Sequence, residues 1–210
     1  MTEIDNFINY ISSIITNNIG FSTNLYNGNS HESEIRRWNL KLYLKKMQQL
    51  NPSILLIGEA PGYKGCRLTG IPFTSEVILS DNLFFKNQGY LSVNTPSNLE
   101  KENSALFFWE TIMKYDNNPL IWNIFPFHPH EENKINCNRT PNKNELELGF
   151  IILKEFLKLF QIQQIGAIGR KAEQKVKGIE MSYIYIRHPS YGGKLEFSNG
   201  IKKLLLSNDN

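Results

Sequence analysis

The stretch "LLIGEAPGYKGCRLTGIPF", residues 55–73, decides how the rest of the sequence is interpreted. It opens as a short apolar run, typical of a strand buried on both faces, and the run ends at Gly58. Glu59 follows directly, and Pro61 and Gly62 then turn the chain into a glycine-rich loop. A carboxylate at the mouth of a buried strand costs free energy unless it is solvated, paired or used. Glu59 therefore marks a candidate functional site.

The composition suits one globular domain. The chain has 210 residues, of which 40% are hydrophobic, and we expect residues 1–210 to form one domain in which a helical N-terminal region, residues 1–50, packs on the core. The first residues carry acids and lack the basic segment and apolar core of a signal peptide, and no apolar run approaches the length of a membrane span. We expect a cytoplasmic monomer with no membrane association.

The net charge excludes few classes of partner, and the cysteine content bears only on metal clusters. The net charge of +3 permits a polyanionic partner without requiring one, because many proteins carry such a charge on an ordinary solvated surface. The two cysteines, Cys66 and Cys137, lie far apart and have no C-x-x-C partner. A thiolate-bound metal cluster is therefore not expected.

Three further apolar runs resemble buried strands: "LIWNIF" at 120–125, "QIGAIG" at 164–169 and "YIYIRH" at 183–188. Patterns with helical period cover about 3–17, 31–50, 100–116, 142–160 and 170–177, and the tail from Lys194 closes with a helix. Ser30 is the expected N-cap of the second helix, whereas the polar segment 79–96 is not assigned. Strands that alternate with helices predict an α/β fold, a three-layer α/β/α sandwich around a mostly parallel four-stranded sheet.

The carboxyl ends of the four predicted strands carry polar sequences that meet at one edge of such a sheet. These sequences are "GEAPG", "NIFPFHPH", "GRKAEQ" and "RHPSYGG". They bring an acid, an amide, histidines and glycine-rich turns to one place. We expect the ligand site there.

This edge of the sheet fits two common chemistries to different degrees. Dinucleotide or phosphate binding is disfavoured, because "GEAPG" lacks the G-x-G-x-x-G spacing and no G-K-[ST] follows a glycine-rich loop. Metal-dependent hydrolysis stays open, because His128, His130 and His188 have the chemistry to gather with Glu59 around a metal. The H-x-H spacing is nevertheless a weak signal.

Six motifs occur in an order that resembles the uracil-DNA glycosylase superfamily over about residues 53–197: "GEAPG", "GIPF", "WNIFPFHPH", "NRTPNKNE", "AIGRKA" and "HPS". Glu59 is similar to the acid of the bacterial and archaeal family four enzymes. The spacing of "GYKGCRLTGIPF" and its Gly65 look like the broad-specificity family five. Both families usually carry four cysteines for an iron-sulfur cluster. Since this chain has two, we expect no cluster, no metal and no other cofactor.

The resemblance implies two catalytic residues. Glu59 would stabilise the positive charge that develops on deoxyribose or orient the attacking water. His188 would donate a hydrogen bond to the base oxygen that becomes negative. Phe73 would stack on the flipped base, and Asn123 would pair with its Watson–Crick edge. The implied base-binding residues are Gly58, Ala60, Gly62, Tyr63, Phe73 and Asn123.

The preferred base stays open. Tyr63 would exclude the methyl group of thymine, but Gly65 leaves room beside it, so hypoxanthine, xanthine or another deaminated base competes with uracil.

The sequence after "HPS" supplies the implied DNA contacts. Either Tyr191 or Leu195 would fill the gap left by the flipped base. We expect Arg139 to be structural and Thr140 to cap the helix that begins near Pro141. The implied DNA-binding residues are Ser190, Tyr191, Gly192, Gly193, Lys194 and Leu195.

The sequence thus predicts a DNA repair glycosylase that acts on DNA containing a damaged or deaminated base. Two alternatives remain: a catalytically inactive nucleic-acid-binding relative, and a metal-dependent hydrolase of small molecules.

Overall fold

The computed structural model describes residues 1–206. Its elements in chain order are α1 (Glu3–Ser13), β1 (Ser22–Thr23), α2 (His31–Leu50), β2 (Ile54–Gly58), α3 (Cys66–Thr69), α4 (Glu76–Asp81), a 3-10 turn (Pro96–Asn98), α5 (Asn103–Ile112), β3 (Leu120–Asn123), β4 (His128–Pro129), α6 (Lys143–Leu157), β5 (Gln164–Ile168), α7 (Arg170–Val176), β6 (Ser182–Ile186) and α8 (Lys194–Leu206).

The central sheet has four parallel strands in the order β3-β2-β5-β6. Strand β2 pairs with β3 so that Gly58 lies opposite Asn123, and β5 pairs with β6 so that Ile168 lies opposite Ile186. Helices cover both faces, as the alternation of strand and helix predicts. The expected α/β/α sandwich is confirmed.

The helices pack on the sheet through aromatic and glycine contacts. Trp122 of β3 stacks on Phe156 of α6 with ring centroids 4.2 Å apart, and Phe7 of α1 meets the same indole edge-on. Helix α8 lies over β5, where a Cβ atom added to Gly166 would approach the Leu204 side chain to 2.6 Å. Large-to-small changes at such contacts typically cost about 2–5 kcal/mol.

The N-terminal region contributes to the same buried cluster as the sheet. Ile4, Ile8 and Ile11 of α1 are almost fully buried in that cluster, and so are Tyr43 and Met47 of α2. Neither α1 nor α2 is a detached appendage, because each buries one apolar face in the core.

The element boundaries differ from prediction in specific places. Ser30 caps α2 as expected, but α1 ends at Ser13 rather than near residue 17. The Asn24 amide causes this early end, because it donates hydrogen bonds to the carbonyl oxygens of Ile11 and Ile14. Residues 22–23 and 128–129 form an unpredicted antiparallel pair, and α4 begins just before the unassigned segment 79–96.

Among residues 1–206, no helix combines the length and the apolar character needed to cross a bilayer. Nor does this part of the chain contain a group of three or more His, Cys, Asp or Glu side chains arranged to hold a metal ion.

Candidate active site

A cleft of about 560 Å³ opens at the carboxyl ends of the strands. It lies where β2 and β5 are neighbours, since the chain leaves β2 toward β3 on one side and leaves β5 toward β6 on the other. Ligands bind at this switch point in open parallel sheets. The cleft is lined by Glu59 after β2, Asn123 at the end of β3, Gly169 after β5 and His188 after β6.

Glu59 is held by its backbone against the neighbouring strand. The Phe125 N–H donates to the Glu59 carbonyl oxygen over 3.0 Å, and the Ile124 N–H donates to that of Gly58 over 2.9 Å. Burial raises the pKa of the half-buried Glu59 carboxyl, whereas the Thr140 side chain and the charge of Lys171 oppose that rise in pKa. A carboxylate on a fixed backbone, with a perturbed pKa and facing a cleft, is typical of a catalytic group.

Phe73 forms an aromatic wall of the cleft. Its ring stacks on Phe108 of α5 with centroids 4.5 Å apart and planes inclined by 13°. The backbone φ of +53° is unusual for a bulky residue, and the Trp109 indole N–H helps to hold this conformation by donating to the Phe73 carbonyl oxygen over 3.1 Å. The ring is therefore fixed in place from behind.

Asn123 presents a carboxamide without a protein partner. It is only 3% exposed and lines the cleft, and within residues 1–206 its side chain forms no hydrogen bond with another residue. A buried amide normally has such partners. The donor and acceptor of Asn123 are therefore available to a ligand.

Gly58 lies behind these two side chains rather than in the lining of the cleft. A Cβ atom at Gly58 would lie 2.6 Å from two carbon atoms of the Phe73 ring and 2.7 Å from Oδ1 of Asn123. Glycine is needed here because the aromatic ring and the amide both approach the backbone closely.

His188 is mostly buried at the opposite end of the sheet edge. The Ser190 N–H donates a hydrogen bond to Nδ1 of His188 over 3.2 Å, and the imidazole centroid lies 6.3 Å from that of Phe73. Burial, aided by the nearby Arg187 charge, lowers the pKa of His188 to about 4. The imidazole is therefore neutral at pH 7, and because Nδ1 accepts, its proton resides on Nε2.

The loop after His188 divides into residues at the cleft and residues beyond it. Ser190 and Tyr191 line the cleft, and Tyr191 is 97% exposed with a φ of +52°. Gly193 packs against His188, because a Cβ atom there would collide with the His188 carbonyl oxygen. Four of the predicted DNA contacts lie outside the lining: Gly192, Gly193, Lys194 and Leu195.

The loop after β2 is also divided. Ala60 and Gly62 line the cleft, but Tyr63 does not. The backbone N–H of Tyr63 donates to Oδ1 of Asn138 over 2.9 Å, and the Tyr63 carbonyl oxygen accepts a hydrogen bond from Arg67.

Two of the histidines considered for a metal site make other contacts. The ring nitrogens of the buried His128 each lie 2.9 Å from a carbonyl oxygen, those of Pro61 and Ile135. Nε2 of His130 lies 3.0 Å from the Thr23 hydroxyl. Neither residue lines the cleft with His188.

Arg139 is structural in part, and the predicted cap beside it is wrong. Its guanidinium binds both carboxylate oxygens of the fully buried Glu145, at 2.9 and 2.7 Å. Asn142, not Thr140, caps α6, and it forms a capping box with Glu145. Thr140 instead lines the cleft beside Glu59.

The sequence profile described as Uracil DNA glycosylase superfamily matches residues 45–204. The chain belongs to the uracil-DNA glycosylase superfamily. Among solved structures, the crystal structure of wild-type Pedobacter heparinus SMUG2 is similar, with a TM-score of 0.69, 17% identity and full coverage of both chains. At that identity the likeness concerns the fold. No curated protein matches the chain.

Sequence reasoning missed several cleft residues of this superfamily member. Lys171, Arg170 and Arg187 add positive charge to the lining; the motifs "AIGRKA" and "HPS" mark their segments, but the sequence assigned these three residues no role. Glu102 and Ser104 also line the cleft, and no local pattern marks them.

Proposed function

We propose that this protein is a DNA glycosylase that hydrolyses the N-glycosidic bond of a flipped-out uracil or other deaminated base in DNA. The observation that carries the proposal is the pairing of Glu59 with a neutral His188 across one cleft. Membership of the uracil-DNA glycosylase superfamily supports it.

The proposed chemistry divides the developing charge between the two residues. As the bond between C1′ and the base nitrogen breaks, its electron pair leaves with the base and positive charge grows on deoxyribose. The Glu59 carboxylate stabilises that cation and orients the water that adds to C1′; the proton that this water releases balances the negative charge that leaves with the base. The Nε2–H of His188 donates to the base oxygen that gains negative charge, so the hydrogen bond strengthens as the bond breaks.

The remaining lining suits recognition of a base. The Phe73 ring, held from behind by Phe108, offers a stacking surface. The unpartnered amide of Asn123 offers a donor and an acceptor to the Watson–Crick edge. The Phe73 ring is held before a ligand arrives, which reduces the entropy lost on binding.

DNA is the proposed partner, and the chain is proposed to act as one domain and as a monomer. The positive charges of Lys171, Arg170 and Arg187 at the cleft suit phosphate contacts, and the exposed Tyr191 at the rim suits a wedge. The contribution of α1 and α2 to the common core supports a single domain.

The test is a strand-cleavage assay in chelator, followed by alkali. Single-stranded and double-stranded oligonucleotides contain uracil, hypoxanthine or xanthine at one position, and cytosine and adenine oligonucleotides serve as controls. Cleavage at one deaminated base that persists in chelator supports the proposal and names the substrate. Binding without cleavage favours an inactive DNA-binding relative, and indifference to every oligonucleotide contradicts the proposal.

A further inference from the structure

Glu102, just before α5, lines the same cleft as Glu59 and Phe73. Its carboxyl group occupies the space beside two glycines of the loop after β2. A Cβ atom at Gly62 would lie 2.9 Å from Oε1 of Glu102, and one at Gly65 would collide with Oε2. The room that Gly65 leaves is therefore filled by an acid from a distant segment.

This carboxyl group has few polar partners. The Ser104 hydroxyl donates to Oε1 over 2.8 Å. No ion pair of the described residues includes Glu102, although Glu100 two positions earlier pairs with Lys64. A largely buried carboxylate with one neutral donor is costly, so the position favours the uncharged acid.

The protonation state follows from these surroundings. Burial raises the pKa of the Glu102 carboxyl, and the Ser104 hydrogen bond only partly opposes this rise in pKa. Oε1 lies 2.8 Å from the Ser104 hydroxyl, whereas Oε2, on the side of Gly65, has no hydrogen-bond partner within residues 1–206, so a proton on Oε2 is free to be donated to a ligand.

We propose that Glu102 is a specificity-determining residue that meets the flipped base as a neutral carboxylic acid and donates a hydrogen bond from Oε2 to a carbonyl oxygen of that base. The proposal rests on the proposed glycosylase function and deepens it by naming a residue that selects the substrate class. A base with a carbonyl group at this position accepts the hydrogen bond. An amino-bearing base, such as cytosine or adenine, opposes one donor with another and is rejected.

The first test does not depend on turnover. Infrared difference spectra between the wild type and Glu102→Gln at pH 7 are expected to contain the carbonyl stretch of a protonated carboxyl group. The band is expected to shift when single-stranded oligonucleotides carrying 2′-fluorinated deoxyuridine or deoxyinosine, which resist hydrolysis, are added. Absence of the band, or a band that neither oligonucleotide moves, overturns the proposal.

The second test compares kcat/KM at uracil, hypoxanthine, xanthine and cytosine. The apolar Glu102→Met is expected to lose about tenfold or more at the preferred base, and Glu102→Gln, which keeps an uncharged donor, is expected to recover part of that loss. Glu100→Gln is the matched control, because Glu100 lies outside the lining.

Activity at alkaline pH also distinguishes the wild type from Glu102→Gln. The wild type is expected to lose activity as pH rises through the pKa of Glu102, and Glu102→Gln is expected to keep it. Equal pH profiles and equal base preference in wild type and Glu102→Met overturn the proposal. If an oligonucleotide shifts the infrared band of the wild type but no base is excised, the result supports Glu102 as a base contact. The same result contradicts the glycosylase function instead.

Discussion

The backbone N–H of Ser190 donates a hydrogen bond to Nδ1 of His188, over 3.2 Å. This one contact determines which imidazole nitrogen carries the proton and leaves Nε2–H as a donor. It depends on the tight turn after Pro189, where Gly193 packs against the His188 carbonyl oxygen. The same turn places Tyr191 at the rim of the cleft.

Replacement of His188 by Ala is expected to reduce kcat about 10²- to 10³-fold, the loss usual when one donor to a developing oxyanion is removed. Single-turnover excision measures it, and circular dichroism checks that the fold is intact. His31→Ala is the matched control, because His31 is exposed at the start of α2. Near-normal turnover of His188→Ala would contradict the proposed role.

Glu59→Gln is expected to reduce turnover strongly and to change the pH profile. The proposed reaction requires the ionised carboxylate, so activity is expected to fall as pH drops through the pKa of Glu59, which burial raises above its ordinary value of 4.5. The acid limb of the pH–activity profile should therefore lie at a higher pH than the limb of an exposed glutamate would. It should disappear in Glu59→Gln. Glu110→Gln on the exposed face of α5 is the control. If the acid limb survives in Glu59→Gln, the titration that causes it belongs to another group.

The burial of His188 also predicts acid sensitivity of the fold. The unfolded chain binds a proton on His188 below about pH 6.5, whereas the folded protein does so only below about pH 4, so stability falls as pH drops between these values. The contribution is at most about 3 kcal/mol. Urea unfolding of wild type and His188→Gln at pH 7 and pH 4.5 measures it. The variant should lose less stability on acidification, and an identical loss would refute the assignment.

The fold was predictable because its signals are local. Runs of apolar residues such as 54–58 and 164–168 read as buried strands, and the Ser30 cap marks the start of α2. The end of α1 was not predictable. It depends on the amide of Asn24, which reaches back to the last turn from a segment without any regular pattern.

The candidate site was predictable only where it follows strand ends. Glu59, Asn123 and His188 each follow the end of a buried strand or close it, so the parallel sheet brings them together. Glu102 reaches the cleft from the turn before α5, and only tertiary packing places its carboxyl group beside Gly65. The side chain of Tyr63 was expected in the pocket because of its sequence position, but the loop directs it elsewhere.

Gly58→Ala is expected to disturb both side chains that are proposed to bind the base, because the added methyl group would lie 2.6 Å from the Phe73 ring and 2.7 Å from Asn123. We expect the free energy of unfolding to fall by about 1–3 kcal/mol. We expect kcat/KM to fall by a larger fraction than the free energy of unfolding does. Gly200→Ala on α8 is the control, since its Cβ atom would meet Ile186 at 3.1 Å, away from the cleft. Equal effects of the two variants on kcat/KM would mean that Gly58 has no special relation to the site.

The choice between two wedge candidates follows from their positions. Tyr191 is 97% exposed and lines the cleft, whereas Leu195 is 71% exposed and lies outside the lining on the first turn of α8. A wedge acts only when a base must be extracted from a stack, at a cost of a few kcal/mol in duplex DNA and less in a single strand. Tyr191→Ala is therefore expected to lower excision from duplex DNA about tenfold or more while leaving single-stranded DNA within about threefold. Leu195→Ala is expected to change the excision rate less on either substrate.

Parallel single-turnover assays on matched duplex and single-stranded oligonucleotides measure the excision rate of each variant relative to the wild type. If Leu195→Ala alone loses the duplex reaction, the wedge lies on α8 and Tyr191 is a rim residue.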